Sequence, residues 1–183
     1  MEYGTKSLVN KESFAFEFAE NITKKGLNDP VFLCVGNSNV VGDLFGPLCG
    51  EILKSKYKFK YVFGDLKNNV TSKNLVQTYS FLKTNFPLNP ICVIDASLCD
   101  VASVGNIKFL PYGCLPACNS NTKIMGDFSV LGCVNVTGIS GLMFLKTVKY
   151  DMVLSMCEFA CLGINRAIEL SNIIKNYSNK KAN

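Results

Sequence analysis

The sequence predicts one α/β domain built on a mostly parallel sheet. Three observations carry that reading. Short apolar runs recur at residues 30–35 (PVFLCV), 59–63 and 90–94, as in strands buried on both faces. The first two are each followed by a segment with helical spacing of apolar residues, which gives strand–helix–strand–helix–strand alternation and right-handed crossovers. The 183 residues, 48% hydrophobic and 18% charged, supply one sizeable core and leave little length for a second domain.

Taken in order, residues 13–25 put Phe14, Phe16, Phe18 and Ile22 on one broad apolar face, and Gly26 supplies the stop. Residues 1–27 read as an N-terminal helical extension of the single domain. The first strand, 30–35, ends at Gly36. A polar loop, 36–42, then leads to Asp43, which opens a helix to about Lys56 with Leu44, Leu48, Ile52 and Leu53 inward. Residues 59–63 form the second strand, 72–84 the next helix and 90–94 the third strand, which ends in Asp95. Further strands fall at 105–110 and 128–136, joined by an irregular loop at 111–126, and a short helix fits 139–147. Asp151 caps a long helix to about Tyr177, with Val153, Met156, Cys157, Ala160, Ile164, Ile168 and Ile174 at core spacing. Residues 178–183 read as a frayed polar tail.

Composition removes several chemistries. The mean hydropathy of +0.20 and the modest charge exclude a disordered chain. No run of 18 apolar residues offers a membrane span; the nearest, 128–145, is interrupted by Asn135, Thr137, Gly138 and Ser140. The chain has no histidine, so a Ser-His-Asp triad, a Cys-His dyad and an HExxH zinc site are all out of reach. Nine cysteines, an odd number, follow a polar N-terminus with no apolar leader, and so read as reduced thiols of a cytoplasmic protein. Two C-x3-C pairs, Cys114/Cys118 and Cys157/Cys161, lack the common zinc spacing, and the second falls on an apolar face, so core packing is their reading. The net charge of +5 comes from scattered lysines, with only loose groupings at Lys54/Lys56/Lys58/Lys60 and Lys180/Lys181, and Arg166 is the one arginine; that pattern predicts no nucleic-acid partner. The end of the last helix, 172–181, carries no dimerisation pattern.

In a parallel sheet, sites form outside the carboxyl ends of the strands. Asp43 follows the first strand through the loop Gly36, Asn37, Ser38, Asn39, Val40, Val41, Gly42, and Asp95 ends the third. If those strands are neighbours, both carboxylates face one cleft, where two close acids share a proton and activate water. Each has a plainer reading as well: Asp43 as a helix N-cap, Asp95 as a turn cap. The loop is neither a P-loop nor GxGxxG. Asp127 and Asn135 are polar positions flanking or inside an apolar run, and Asn135 needs a hydrogen-bond partner there.

These same residues carry a resemblance. Gly36-Asn37-Ser38 through Gly42-Asp43-Leu44-Phe45-Gly46-Pro47-Leu48 resembles the glycine-Asp-x-x-Gly-Pro segment of YyaC-type sporulation proteins, and Val93-Ile94-Asp95-Ala96 their second acidic motif. Val104-Gly105, Gly126-Asp127-Phe128-Ser129 and Val134-Asn135-Val136-Thr137-Gly138 continue the match in order over about residues 30–170. That family is similar to the spore germination protease and to hydrogenase maturation endopeptidases. The resemblance implies a three-layer α/β/α sandwich of the phosphorylase/hydrolase type, with catalytic acids at Asp43 and Asp95. In the hydrogenase group the corresponding acids bind a nickel-bearing substrate together with a histidine, which this chain lacks.

The leading expectation is a sporulation-associated, aspartate-dependent endopeptidase that takes a protein or peptide substrate and needs no metal or other cofactor. Asp43 and Asp95 act as base and acid; Asn37 and the loop amides from Gly36 to Gly42 polarise the scissile carbonyl, with Asp127 and Asn135 as further substrate contacts. A non-catalytic peptide-binding protein on the same fold is the alternative. A hydrolase with Mg²⁺ or Mn²⁺ on Asp43, Asp95 and Asp127 is the third.

Overall fold

The computed structural model describes residues 1–5, 7–24, 29–116, 123–137 and 148–181, and the backbone alone at 176 and 178–181. The helix stop expected at Gly26, Cys118 and the short helix expected at 139–147 lie outside the described residues. The chain runs β1 (Glu2–Gly4), α1 (Leu8–Lys24), β2 (Val31–Cys34), α2 (Phe45–Ser55), β3 (Val62–Phe63), α3 (Leu75–Asn85), β4 (Ile91–Cys99), β5 (Asn106–Leu110), β6 (Phe128–Val136) and α4 (Tyr150–Lys181), with 3-10 turns at Val41–Asp43 and Val101–Ser103.

The strands form one sheet in the order β1-β5-β6-β4-β2-β3, with β6, β4, β2 and β3 parallel and β5 and β1 joined antiparallel at one edge. This is the predicted α/β architecture. Side chains alternate between the two faces. Phe32, Cys34, Cys92, Ile94, Phe128 and Val130 meet α1, α2 and α4, while Val31, Leu33, Val35, Ile91 and Val93 meet α3. Helices therefore cover both faces, which is why β2 is apolar at every position. The first face is aromatic: Phe14, Phe18, Phe32, Phe45 and Phe128 are fully buried, and truncating one to Ala costs about 3–5 kcal/mol.

Four elements differ from the sequence reading. β4 does not stop at Asp95. It runs on to Cys99 because β6 stays beside it as a ladder partner as far as the Cys99–Val136 pair, whereas β2 ends at Cys34. β3 is only two residues, because the chain leaves α2 through a left-handed turn at Lys58 (φ 58°) before it can pair. Glu2–Gly4, three polar-looking residues, add an edge strand to β5. The last helix continues through Lys181, past the expected end at Tyr177.

All eight described cysteines are buried. The Cys157 and Cys161 thiols donate to the carbonyls of Phe45 (3.4 Å) and Cys49 (3.5 Å) across the α2–α4 seam, and burial pushes the Cys157 thiol up. They pack the core, as their spacing predicted. Among the described residues no helix is long and apolar enough to cross a membrane.

The connections place the site. From β2 the chain moves outward over one face, through α2, to the edge strand β3. From β3 it returns over the other face, through α3, to β4 on the far side of β2. Strand order thus reverses between β2 and β4, and the crevice outside their carboxyl ends is where open α/β sheets bind ligands.

Candidate functional site

Asp43 and Asp95 flank that crevice. Val35 still pairs with β4, its N–H donating to the Ile94 carbonyl at 2.8 Å, so Asp95 stands beside the point where the chain leaves β2. Gly36 makes the turn. Its φ is +143°, and a Cβ there would lie 2.1 Å from the Asp43 carbonyl oxygen, so only glycine fits. Gly46 in α2 is equally constrained, since a Cβ would sit 1.9 Å from the Val35 carbonyl. The loop 36–43 is therefore pinned at both ends to the tip of β2, and its 3-10 turn packs against β4.

Asp43 does not cap α2. It closes the 3-10 turn, the residue before α2 is Leu44, and no side chain caps that end. Its carboxylate reaches back instead: Oδ2 accepts the Asn37 N–H at 2.8 Å. The group is half-buried. Burial raises its pKa, and the Asn37 N–H only partly offsets the shift. Asp95 is 4% exposed. It lies within the strand and not in a turn; alternation sets it on the α3 face with Val93, and its Oδ1 accepts the Ala96 N–H at 2.9 Å.

The loop amides are more committed than the sequence suggested. Gly36 donates to the Val70 carbonyl and Ser38 to the Asn69 side chain, and Val40 donates to the Asn37 carbonyl. Asn39 donates to Asn37 Oδ1 at 3.0 Å. The amides of residues 36–40 thus hold the loop in shape and do not face a substrate. Val41 and Gly42, the first two residues of the 3-10 turn, are the positions whose N–H groups such a turn leaves without an internal acceptor.

The other expected site residues separate. Asp95 pairs in register with Leu131, four residues from Asp127 in one direction and four from Asn135 in the other, about 13 Å each way along a strand. Asp127 sits at the amino ends of the strands, where its Oδ2 accepts the Ile91 N–H at 2.8 Å and ties β6 to β4. It does not join Asp43 and Asp95, so the three-acid metal set is not assembled. Among the described residues no group of three or more potential metal-ligating side chains comes together. Asn135 is at the carboxyl edge, pairs with Leu98 beyond a bulge and accepts the Val136 N–H at 2.8 Å.

Sequence reasoning missed the brace behind the loop. Asp65, one residue after the turn glycine Gly64, is buried with its Oδ1 accepting the Lys67 (2.9 Å) and Asn68 (2.6 Å) N–H groups and its Oδ2 paired with Lys54. The loop so formed presents Asn69 and Val70 to Ser38 and Gly36. The signal was an Asp three residues before an Asn at a strand end, an Asx turn. A cleft of about 780 Å³ also opens beyond β5, lined by Thr5, Asn10, Asn106 and Asp151 among others. It holds none of the expected site residues, and Thr5 and Asn10 spend their donors on the Gly105 and Gly4 carbonyls.

Fold and site define a doubly wound α/β protein with two acids at its switch point. The chain belongs to the family described as protein of unknown function DUF1256, whose profile matches residues 5–163. It is 27% identical over 139 residues to the uncharacterized protein YyaC of Bacillus subtilis (strain 168), an alignment spanning 74% of this chain and 67% of that protein. No solved structure matches it.

Proposed function

We propose that this protein is an aspartate-dependent endopeptidase acting in the cytoplasm of a sporulating cell. The observation that carries the reading is the placement of Asp43 and Asp95 on either side of the β2–β4 switch point, with the Asp43 carboxyl pKa raised by burial. The resemblance to germination-type peptidases at the same two residues supports it.

In this reading the acids share one proton. The ionised carboxylate takes a proton from a water whose oxygen attacks the scissile carbonyl carbon. The protonated carboxyl gives its proton to the departing amide nitrogen as the C–N bond breaks. The Val41 and Gly42 amides, with Asn37 Nδ2, stabilise the carbonyl oxygen as it gains charge. Burial of Asp95 strengthens these interactions by keeping bulk water from one wall of the site.

The test adds wild-type protein, Asp43→Asn or Asp95→Asn to lysate of sporulating cells and catalogues new protein N-termini. New termini with the wild type alone support the reading and name substrates. Identical catalogues for all three proteins, at every pH tried and with and without divalent metal, overturn it in favour of a binding protein on the same fold.

A further inference from the structure

We propose that the open sheet edge at β3 binds single-stranded nucleic acid. Between Glu51 and Asp95 the chain carries seven lysines and one acid, Asp65, against a net charge of +5 for the whole protein. The rest of the chain is therefore net negative. Along the sequence the lysines form only loose groupings, Lys54 to Lys60 among them, and arginine is nearly absent, so no nucleic-acid partner was expected. The fold gathers the end of α2, β3 and α3 around one edge of the sheet, and the positive charge goes with them. Asp65 is neutralised by Lys54. Lys56, Lys58 and Lys60 are exposed and have no acid partner among the described residues.

The second half of the argument is aromatic. Lys60 Nζ stands 5.2 Å from the centroid of the Tyr61 ring. Tyr61 packs on Phe86 at 5.1 Å, Phe86 on Phe63 at 5.7 Å, and Phe63 on Phe81 at 6.0 Å. Phe81 is half exposed, at 50%. Among the described residues β3 pairs only with β2, and no further strand flanks this row. Phe81, exposed at the end of this row of partly buried rings and beside lysines with no acid partner, matches a chain of unstacked bases on a phosphate backbone: the exposed ring takes a base and the lysines the phosphates. A duplex hides its base faces, and an acidic peptide has no use for the rings. The one arginine, Arg166, lies away from this edge on α4, so bidentate reading of base edges is not expected and binding is indifferent to sequence.

Fluorescence anisotropy of the full chain with labelled 15-mers of deoxythymidine and of uridine tests this. Binding of either strand is expected, with log K falling against log salt at a slope of about −2 if three lysines contact phosphates. Replacing Lys56, Lys58 and Lys60 together with Gln should flatten the slope. Phe81→Ser should weaken binding about tenfold at an unchanged slope. All four sites are exposed, and circular dichroism confirms the fold of each variant. No binding at low salt with tens of micromolar protein overturns the proposal. So does poly-glutamate binding as tightly as the oligonucleotides with no response to Phe81→Ser, which would reassign the edge to acidic proteins.

Discussion

Two loops leave the sheet side by side at its carboxyl edge, one after β2 and one after β3, and each holds an acid. Asp65 in the second is supplied with everything a buried carboxylate needs. Burial alone would raise its pKa, but the Lys54 ammonium and the Asn68 and Lys67 N–H groups outweigh that and hold it at about 2. Asp43 in the first has one main-chain donor, Asn37, and its pKa is raised. Under the proposed function, the difference separates an acid that serves the fold from one held ready for proton transfer: the same side chain, in adjacent loops, with opposite shifts. The two are linked, because the Asp65 loop supplies Asn69 and Val70 to hold the Asp43 loop.

The largest effect that sharpens this contrast is on catalysis. Asp43→Asn should lower cleavage by about 10²–10⁴-fold, as loss of a general acid or base does, with the fold intact. Asp65→Asn should leave more activity at temperatures where the protein stays folded, measured by the rate of substrate cleavage. Equal losses would break the distinction.

Next comes the loop between them. Gly36→Ala should cost about 1–3 kcal/mol from backbone strain alone, and more from the contact with the Asp43 carbonyl, read as a fall in denaturant midpoint. Asp65→Asn should cost about 2 kcal/mol at pH 7, after allowance for the partly exposed Lys54. Because the folded pKa is depressed, that stabilisation is complete above the ordinary carboxylate range near 4 and is lost as pH falls toward about 2. Urea melts at stepped pH should follow that window in the wild type and not in the variant.

The smallest effect has the opposite sign. A raised pKa means the ionised Asp43 disfavours the folded state above that pKa, and the penalty disappears as pH falls through it. Asp43→Asn should therefore melt at the same temperature as the wild type or slightly higher at pH 7. A clear loss of stability would place Asp43 with Asp65 as a structural acid.

Much of this arrangement was legible in the sequence where one local pattern decides the outcome. Continuous apolar runs found β2 and the first half of β4, and β6 has the predicted bounds because apolar residues fill it from Phe128. The reading that Asp43 and Asp95 face one crevice was conditional on the first and third predicted strands being neighbours, and β2 and β4 do pair. What was not legible depended on partners distant in sequence. β4 continues past Asp95 because β6 accompanies it, and β1 exists because β5 offers an edge. Asp127 looked like a site residue, since nothing local shows that its carboxylate is spent on the Ile91 N–H, 36 residues away. The helix-cap reading of Asp43 failed for the same reason: the competing donor, Asn37, is brought to it by a turn at Gly36.

The most direct test of proton sharing between the acids is a carbon-detected NMR titration of the Asp43 carboxyl in the wild type and in Asp95→Asn. The account predicts that Asp43 titrates above the ordinary aspartate range and that its midpoint moves when Asp95 loses its charge. An ordinary midpoint, indifferent to Asp95, would contradict it.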